Sequence, residues 1–68
     1  MSISARNQLK GKITDIVKGD VMAEITISVG ENVIDAIITR RSAEELKLQK
    51  GDSVIAVIKA TEVMVSKG

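Results

Sequence analysis

Apolar and polar residues alternate along most of this 68-residue chain, and turn-forming residues separate the alternating stretches. The clearest alternation runs from Val21 to Val29, where Val21, Ala23, Ile25, Ile27 and Val29 occupy every second position. Side chains of a strand point alternately to opposite faces, so this period of two predicts a strand with one buried face. Similar aliphatic stretches predict four more strands. The five predicted strands are Asn7–Val17, Val21–Val29, Val33–Thr39, Ser53–Lys59 and Glu62–Ser66.

Glycine-containing turns separate the predicted strands, because glycine adopts the positive φ angles that tight turns need. The second turn leaves three residues between two strands, which predicts a β-hairpin. The first strand changes phase at Ile16-Val17, and such a shift indicates a β-bulge or a bend. The predicted turns are Lys18-Gly19-Asp20, Gly30-Glu31-Asn32 and Gly51-Asp52.

The segment Arg40–Lys50 changes to a helical period. Ser42 precedes Glu45 by three residues, the spacing of a capping box, in which two side chains satisfy free amides at a helix start. We therefore expect a helix of about two turns that begins at Ser42 and ends near Gln49-Lys50. The residues expected on its inward face are Ala43, Leu46 and Leu48.

Five strands with a short helix between the third and the fourth follow the element order of an OB-fold, a five-stranded Greek-key barrel. No linker or low-complexity segment interrupts the chain, so residues 1–68 are expected to form a single all-β domain. Barrel closure would also cover strand edges that could otherwise pair with other chains. An SH3-like barrel has the same periodicity, and the pattern alone leaves the choice between the two open.

The composition leaves few ways to stabilise so short a chain. A domain of this size buries only about 60% of the surface that its unfolded form exposes. The sequence has no Cys and no His, which excludes disulfides and disfavours a transition-metal site. It also has no Phe, Tyr or Trp, so aliphatic residues and Met must build the core. Oligomerisation is the remaining means of stabilisation.

The charge pattern reduces the number of function classes that fit this chain. The formal net charge is +1, too little for the broad basic surface that attracts nucleic acid. The carboxylates stand in turns and on polar strand faces, and without His or Cys they predict no catalytic pair, so an enzyme is disfavoured. The apolar runs are too short for a membrane span or a signal peptide, so a soluble cytoplasmic protein is expected.

Side chains that donate hydrogen bonds stand at the ends of three predicted strands. They are Ser4 and Arg6, Thr39 and Ser42, and Lys59 and Thr61. No Asp or Glu interrupts these stretches, and a fully deprotonated oxyanion can only accept hydrogen bonds, so the set suits a small oxyanion. The helix start at Ser42 would add backbone amides. Structural roles also fit: Arg6 as a solvated charge, Ser42 as an N-cap and Lys59 as protection of a strand edge.

Three longer stretches stand out by their order and spacing. They are SARNQLKGKI (Ser4 to Ile13), AIITRRSAEELKL (Ala36 to Leu48) and GDSVIAVIKATEVMV (Gly51 to Val65). Together they resemble the molbindins, the small molybdate-binding Mop proteins. A piece as short as KAT would carry little weight alone, whereas the three in this order cover essentially the whole chain.

The resemblance implies an OB-type barrel that assembles into a homohexamer, a trimer of dimers, with oxyanions bound between subunits. The positions that match the family's ligands are Ser4, Ala5 (through its backbone), Arg6, Thr39, Ser42 and Lys59. Relatives carry Ser after that lysine where this chain has Ala60, so a contact there would come from the backbone or be missing. The family also has sites on the symmetry axes of the hexamer, to which the resemblance assigns no residues.

The expected function is reversible binding of molybdate, and of tungstate, as an intact tetrahedral dianion. Storage, buffering and delivery of molybdenum all need the same site, and the sequence does not rank them. A pterin ligand stays open because family names mention pterin, although a chain without aromatic side chains has nothing to stack on a flat ring. Two alternatives are a purely structural oligomerisation module and an OB-type nucleic-acid binder, which the missing aromatic residues disfavour.

Overall fold

The computed structural model describes residues 6–68, and its four strands form one antiparallel sheet. The strands are β1 (Asn7–Lys18), β2 (Met22–Val29), β3 (Asn32–Thr39) and β4 (Ser53–Ile58). The helix α1 (Arg40–Glu45) lies between β3 and β4, and a 3₁₀ helix (Ala60–Glu62) follows β4. Across the sheet the strands lie in the order β3-β2-β1-β4. The all-β class and the place of the helix are as predicted.

β1 is the longest strand and pairs with two neighbours, β4 along its first half and β2 along its second. Thr14 is the extra residue of a β-bulge, because Ile13 pairs with Ile27 while Asp15 pairs with the adjacent Thr26. A bulge bends a strand and increases its twist, so β1 is bent within the half that pairs with β2. The predicted bend is therefore present, two residues before the predicted change of phase.

The alternation in β2 predicts its buried face correctly. Ala23, Ile25 and Ile27 are buried, at positions that the pattern assigns to that face. Val21 was assigned to the same face, but it precedes the strand and is 71% exposed. The remaining buried residues of this small core come from β1, α1 and β4 and are Ile13, Ala43 and Ala56.

α1 begins two residues earlier than predicted, and its N-cap is Thr39, not Ser42. The backbone of Thr39 is extended, and its Oγ1 accepts a hydrogen bond from the backbone N–H of Ser42 at 3.0 Å. Ser42 therefore lies in the first turn of the helix, and the predicted capping box is wrong. Glu45 Oε1 instead lies 3.5 Å from Nε of Arg41. A capping residue needs an extended backbone, and the end of β3 supplies it at Thr39.

α1 ends after six residues in a Schellman motif. Lys47 adopts a left-handed φ of 54°, and the N–H of Leu48 donates to the carbonyl of Ala43 at 3.1 Å. This reversal packs Leu48 against the core, whereas Leu46 is 67% exposed. The prediction of an inward helix face therefore holds for Ala43 and is wrong for Leu46. Leu48 packs inward as expected but lies beyond the helix, which ends before the predicted Gln49-Lys50.

The predicted fifth strand does not form within residues 6–68. Glu62 belongs to the 3₁₀ helix, and Val63 is extended but joins no strand of the described sheet. Met64 and Val65 are 94% and 92% exposed. β3 and β4 therefore remain the two edges of the sheet, and the barrel of a single subunit is open. The 3₁₀ helix interrupts the extended chain after β4, and the alternating tail joins neither edge of the described sheet.

Replacing Lys47 by glycine is expected to raise the free energy of unfolding by about 1 kcal/mol, because glycine lacks the Cβ that disfavours a left-handed backbone. Urea denaturation at fixed protein concentration measures the difference. Lys47→Ala is the matched control, since it removes the same charge but keeps a Cβ, and it should give no gain. An equal gain in both variants would assign the effect to charge.

Gly11 lies where β1 passes close to β2, and Gly11→Ala is expected to destabilise the fold. A Cβ there would overlap the carbonyl oxygen of Ser28 and lie 2.8 Å from Cγ2 of Ile27. Overpacking of this kind lowers the free energy of unfolding by about 1–3 kcal/mol, measurable by thermal unfolding. Gly19→Ala should cost less, because its nearest atom is the Met22 carbonyl oxygen at 3.2 Å. Equal losses would contradict the steric explanation.

Candidate functional site

Two predicted site residues, Arg6 and Lys59, lie at the same end of the β1–β4 pair. Arg6 precedes the first residue of β1, and Lys59 follows the last residue of β4. Asn7 and Ile58 form the last rung between these antiparallel strands, and Nδ2 of Asn7 also donates to the carbonyl of Ile58 at 3.3 Å. Arg6 and Lys59 are both exposed. This end of the sheet therefore carries two positive charges on neighbouring strands.

A 3₁₀ turn follows Lys59 and carries Ala60 and Thr61, both of which are exposed. We call Arg6 and Lys59, together with Ala60 beside the lysine, the cationic group. Thr61 lies in this turn, two residues after Lys59, as expected from its place in the sequence. Two further predicted ligands precede Arg6 and fall outside the described residues: Ser4 and Ala5.

The structure brings Thr39 and Ser42 together at the junction of β3 and α1. Their hydroxyl oxygens are hydrogen bonded at 2.8 Å, and Thr39 Oγ1 also accepts from the backbone N–H of Ser42. Both residues are exposed, so a ligand could reach them. We call these two residues the hydroxyl pair.

β1 separates the cationic group from the hydroxyl pair. The cationic group flanks Asn7, where β1 begins. Thr39 pairs with Met22, beside the rung that joins β2 to Lys18 at the end of β1. A strand rises about 3.3 Å per residue, so the 12 residues of β1 would span roughly 36 Å if they were straight. The bulge shortens this distance, but one subunit does not bring all the predicted ligands to one point.

Arg40 and Arg41, which the sequence analysis did not select, flank the hydroxyl pair. Arg40 Nε lies 3.5 Å from Oε1 of Glu44, and Arg41 Nε lies at the same distance from Oε1 of Glu45. Arg40 Nη1 also donates to the carbonyl of Gly19 at 3.4 Å. The TRRS stretch could have pointed to both arginines. Because each has an anionic neighbour, they add little net charge beside the hydroxyl pair.

Thr39 also lines a shallow surface depression that contains carboxylates as well as arginines. A carboxylate repels an oxyanion, so the donor-only character of the short sequence stretches does not extend over this depression. An anion that meets the hydroxyl pair would have to approach it away from those carboxylates. The other lining residues are Asp20, Val21, Arg40, Arg41 and Glu44.

An apolar cavity of about 560 Å³ lies in the open interior of the barrel. Aliphatic residues from all four strands line it, and Asp35 is the one charged residue among the described residues of its wall. None of the predicted ligand residues within 6–68 lines this cavity. A wall without side-chain hydrogen-bond donors, and with a carboxylate in it, does not suit a dianion, so the cavity is not the candidate site.

Acidic residues are spread along residues 6–68. In that part of the chain, no three acidic side chains converge as a potential metal site. None of the helices found there is long and apolar enough to cross a membrane.

Comparison with known proteins gives the family. Residues 3–65 match the TOBE domain, and the chain therefore belongs to the TOBE domain family. Over 66 residues it is 50% identical to molybdenum-pterin-binding proteins 1 and 2 of Clostridium pasteurianum, a match that covers 96% of this chain and 97% of each relative. The resemblance to the molbindins, or Mop proteins, is thereby confirmed.

Solved structures agree with this family. A molybdate-binding protein from Sporomusa ovata superposes with a TM-score of 0.95 at 45% identity, covering 98% of this chain and 100% of that one. MopII from Clostridium pasteurianum superposes with a TM-score of 0.90 at 48% identity, covering 97% and 100%. The cytoplasmic molybdate-binding protein ModG, with molybdate bound, gives 0.82 at 39% identity, covering 88% of this chain and 43% of its own. These matches confirm the OB-like fold class.

Proposed function

We propose that this chain binds molybdate, and tungstate in the same manner, as an intact tetrahedral dianion at sites shared between subunits of a homohexamer. The observation that carries the proposal is the placement of the cationic group and the hydroxyl pair at opposite ends of β1. Each subunit would then supply one half of one site and the other half of a second. Such a protein would store, buffer or deliver molybdenum in the cytoplasm.

The two halves divide the chemistry. One subunit supplies the cationic group together with Ser4 and the backbone of Ala5, and its neighbour supplies the hydroxyl pair. Arg6 offers a planar guanidinium that can contact two oxygens, Lys59 a point charge, and Ala60 its backbone N–H. A hydrogen bond to a charged partner contributes roughly 1.5–3 kcal/mol, so a handful supports micromolar binding after the cost of association.

Selectivity follows from protonation and size. Hydrogen phosphate carries a proton that needs an acceptor, and the cationic group offers none, while Thr39 Oγ1 already accepts from the backbone N–H of Ser42, so phosphate should bind more weakly than molybdate. Sulfate has the charge and shape of molybdate but shorter bonds, so a cavity that fits molybdate would leave its oxygens too far from the donors. A titration in which phosphate competed equally with molybdate would contradict the donor-only site.

Exposed aliphatic side chains support the proposed assembly. Val63, Met64 and Val65 are exposed in the C-terminal tail, and the edge strands β3 and β4 expose further aliphatic residues. Exposed apolar surface of this kind is typical of interfaces, and a short chain without disulfides needs one. The trimer of dimers is the arrangement that the family resemblance implies. The exposed residues of the edge strands are Val33, Ile37, Ile55 and Val57.

Native mass spectrometry of the desalted protein, with molybdate and with sulfate, tests the function directly. The expected species is a hexamer that gains several molybdates and no sulfate. Arg6→Ala and Lys59→Ala should each weaken molybdate binding at least about tenfold, because each removes a charged partner of the anion. Lys50→Ala removes the same charge from an exposed turn and should leave binding unchanged.

Other outcomes of that experiment separate the alternatives. A hexamer that ignores molybdate would favour a structural oligomerisation module. Unchanged affinity in both Arg6→Ala and Lys59→Ala would place the site elsewhere. The names of relatives mention a molybdenum-pterin, so a parallel titration with a free pterin tests that ligand, and the lack of aromatic side chains predicts no tight binding.

Mixing variants tests whether a site is shared. Subunits with Arg6→Ala and Lys59→Ala lack one half of the proposed site, and subunits with Thr39→Val and Ser42→Ala lack the other half. Each variant alone should bind molybdate poorly, whereas a refolded mixture should recover part of the binding, because some interfaces then combine two intact halves. Isothermal titration calorimetry measures the recovery. No recovery in mixed hexamers would contradict the shared site.

A further inference from the structure

The two hydroxyls of the hydroxyl pair have a limited number of protons to donate to a ligand. Thr39 Oγ1 and Ser42 Oγ are 2.8 Å apart, a normal distance for a hydrogen bond between hydroxyls. Each hydroxyl has one proton to donate. While the bond between them exists, one of the two protons lies between the oxygens, whichever residue donates it. The pair therefore presents one proton to a ligand, not two.

The helix cap fixes the position of Thr39 but does not depend on the side chain of Ser42. Thr39 Oγ1 accepts the backbone N–H of Ser42 at 3.0 Å, and this bond uses a lone pair of the threonine oxygen, not its proton. A change of the Ser42 side chain leaves that backbone N–H in place. Thr39 would thus keep its cap and its position when the serine hydroxyl is removed, and its proton would become available.

We propose that Thr39 and Ser42 act as one exchangeable donor to the bound oxyanion, so that either hydroxyl replaces the other when one is missing. This inference rests on the proposed function, since it concerns the half of the site that the hydroxyl pair forms. The wild-type pair would give the anion a single hydrogen bond. The loss of binding on removing both hydroxyls would then greatly exceed the sum of the two single losses, expressed as free energies.

A double-mutant cycle on molybdate affinity tests the proposal. The variants are Ser42→Ala, Thr39→Val and the combination of the two, measured by isothermal titration calorimetry on the hexamer. Each single variant should weaken binding less than about twofold, and the double variant at least about tenfold, well above the roughly fourfold loss that additive effects would give, because only the double variant lacks a proton to donate. Thr39→Ser keeps both the hydroxyl and the cap, and it should bind as the wild type does.

Folding is controlled within the same experiment. Thr39→Val also removes the N-cap, so native mass and thermal unfolding of every variant are recorded. If that variant does not assemble, Thr39→Gly replaces it in the cycle, because glycine at an N-cap costs little more than threonine and has no hydroxyl. Ser42→Ala keeps the cap and gives a second, independent measure.

Each remaining result has one meaning. Additive single losses would overturn the inference and show two independent donors. A single variant as weak as the double variant would also overturn it, because the partner hydroxyl would then have failed to substitute. A double variant with unchanged affinity would place the anion away from the pair. Wild-type protein that does not bind molybdate would instead overturn the proposed function itself.

Discussion

The pairing of β1 with two neighbours is the constraint on which the rest of the structure depends. β1 lies against β4 along its first half and against β2 along its second half. The bulge at Thr14 bends β1 within the half that pairs with β2, and Gly11 leaves room for the close approach of these two strands. The same strand fixes where the candidate ligands lie, since the cationic group flanks its first residue and the hydroxyl pair lies near its last.

At the junction of β3 and α1, Thr39 has a structural role and, in the proposed site, would also have a functional one. Thr39 ends a strand, caps a helix and contacts the hydroxyl of Ser42. The cap uses a lone pair of Thr39 Oγ1, whereas ligand binding would use the proton of the same hydroxyl. The two roles therefore do not compete. Structural and functional explanations of such a residue are therefore compatible, and neither excludes the other.

Local patterns predict much of this structure, and the errors arise where distant residues decide. The buried face of β2 follows from its period of two, because successive side chains of a strand point to opposite faces along its whole length. The helix start was misplaced because Thr39 and Ser42 both suit an N-cap, and only the end of β3 chooses between them. In residues 62–66, polar and apolar residues alternate as in a strand, but this alternation does not show whether the segment pairs with an edge strand of the sheet. The proximity of Arg6 and Lys59 depends on the register between β1 and β4, which the sequence alone does not contain.

The open barrel and its exposed apolar tail have a consequence for how stability should be measured. In the proposed hexamer, part of the apolar surface of each subunit is covered by other copies, so folding and association share one equilibrium. By mass action the midpoint of thermal unfolding would rise with protein concentration. Dilution would then separate the two halves of each ligand site and weaken the fold in the same step, so that binding capacity and foldedness would disappear together.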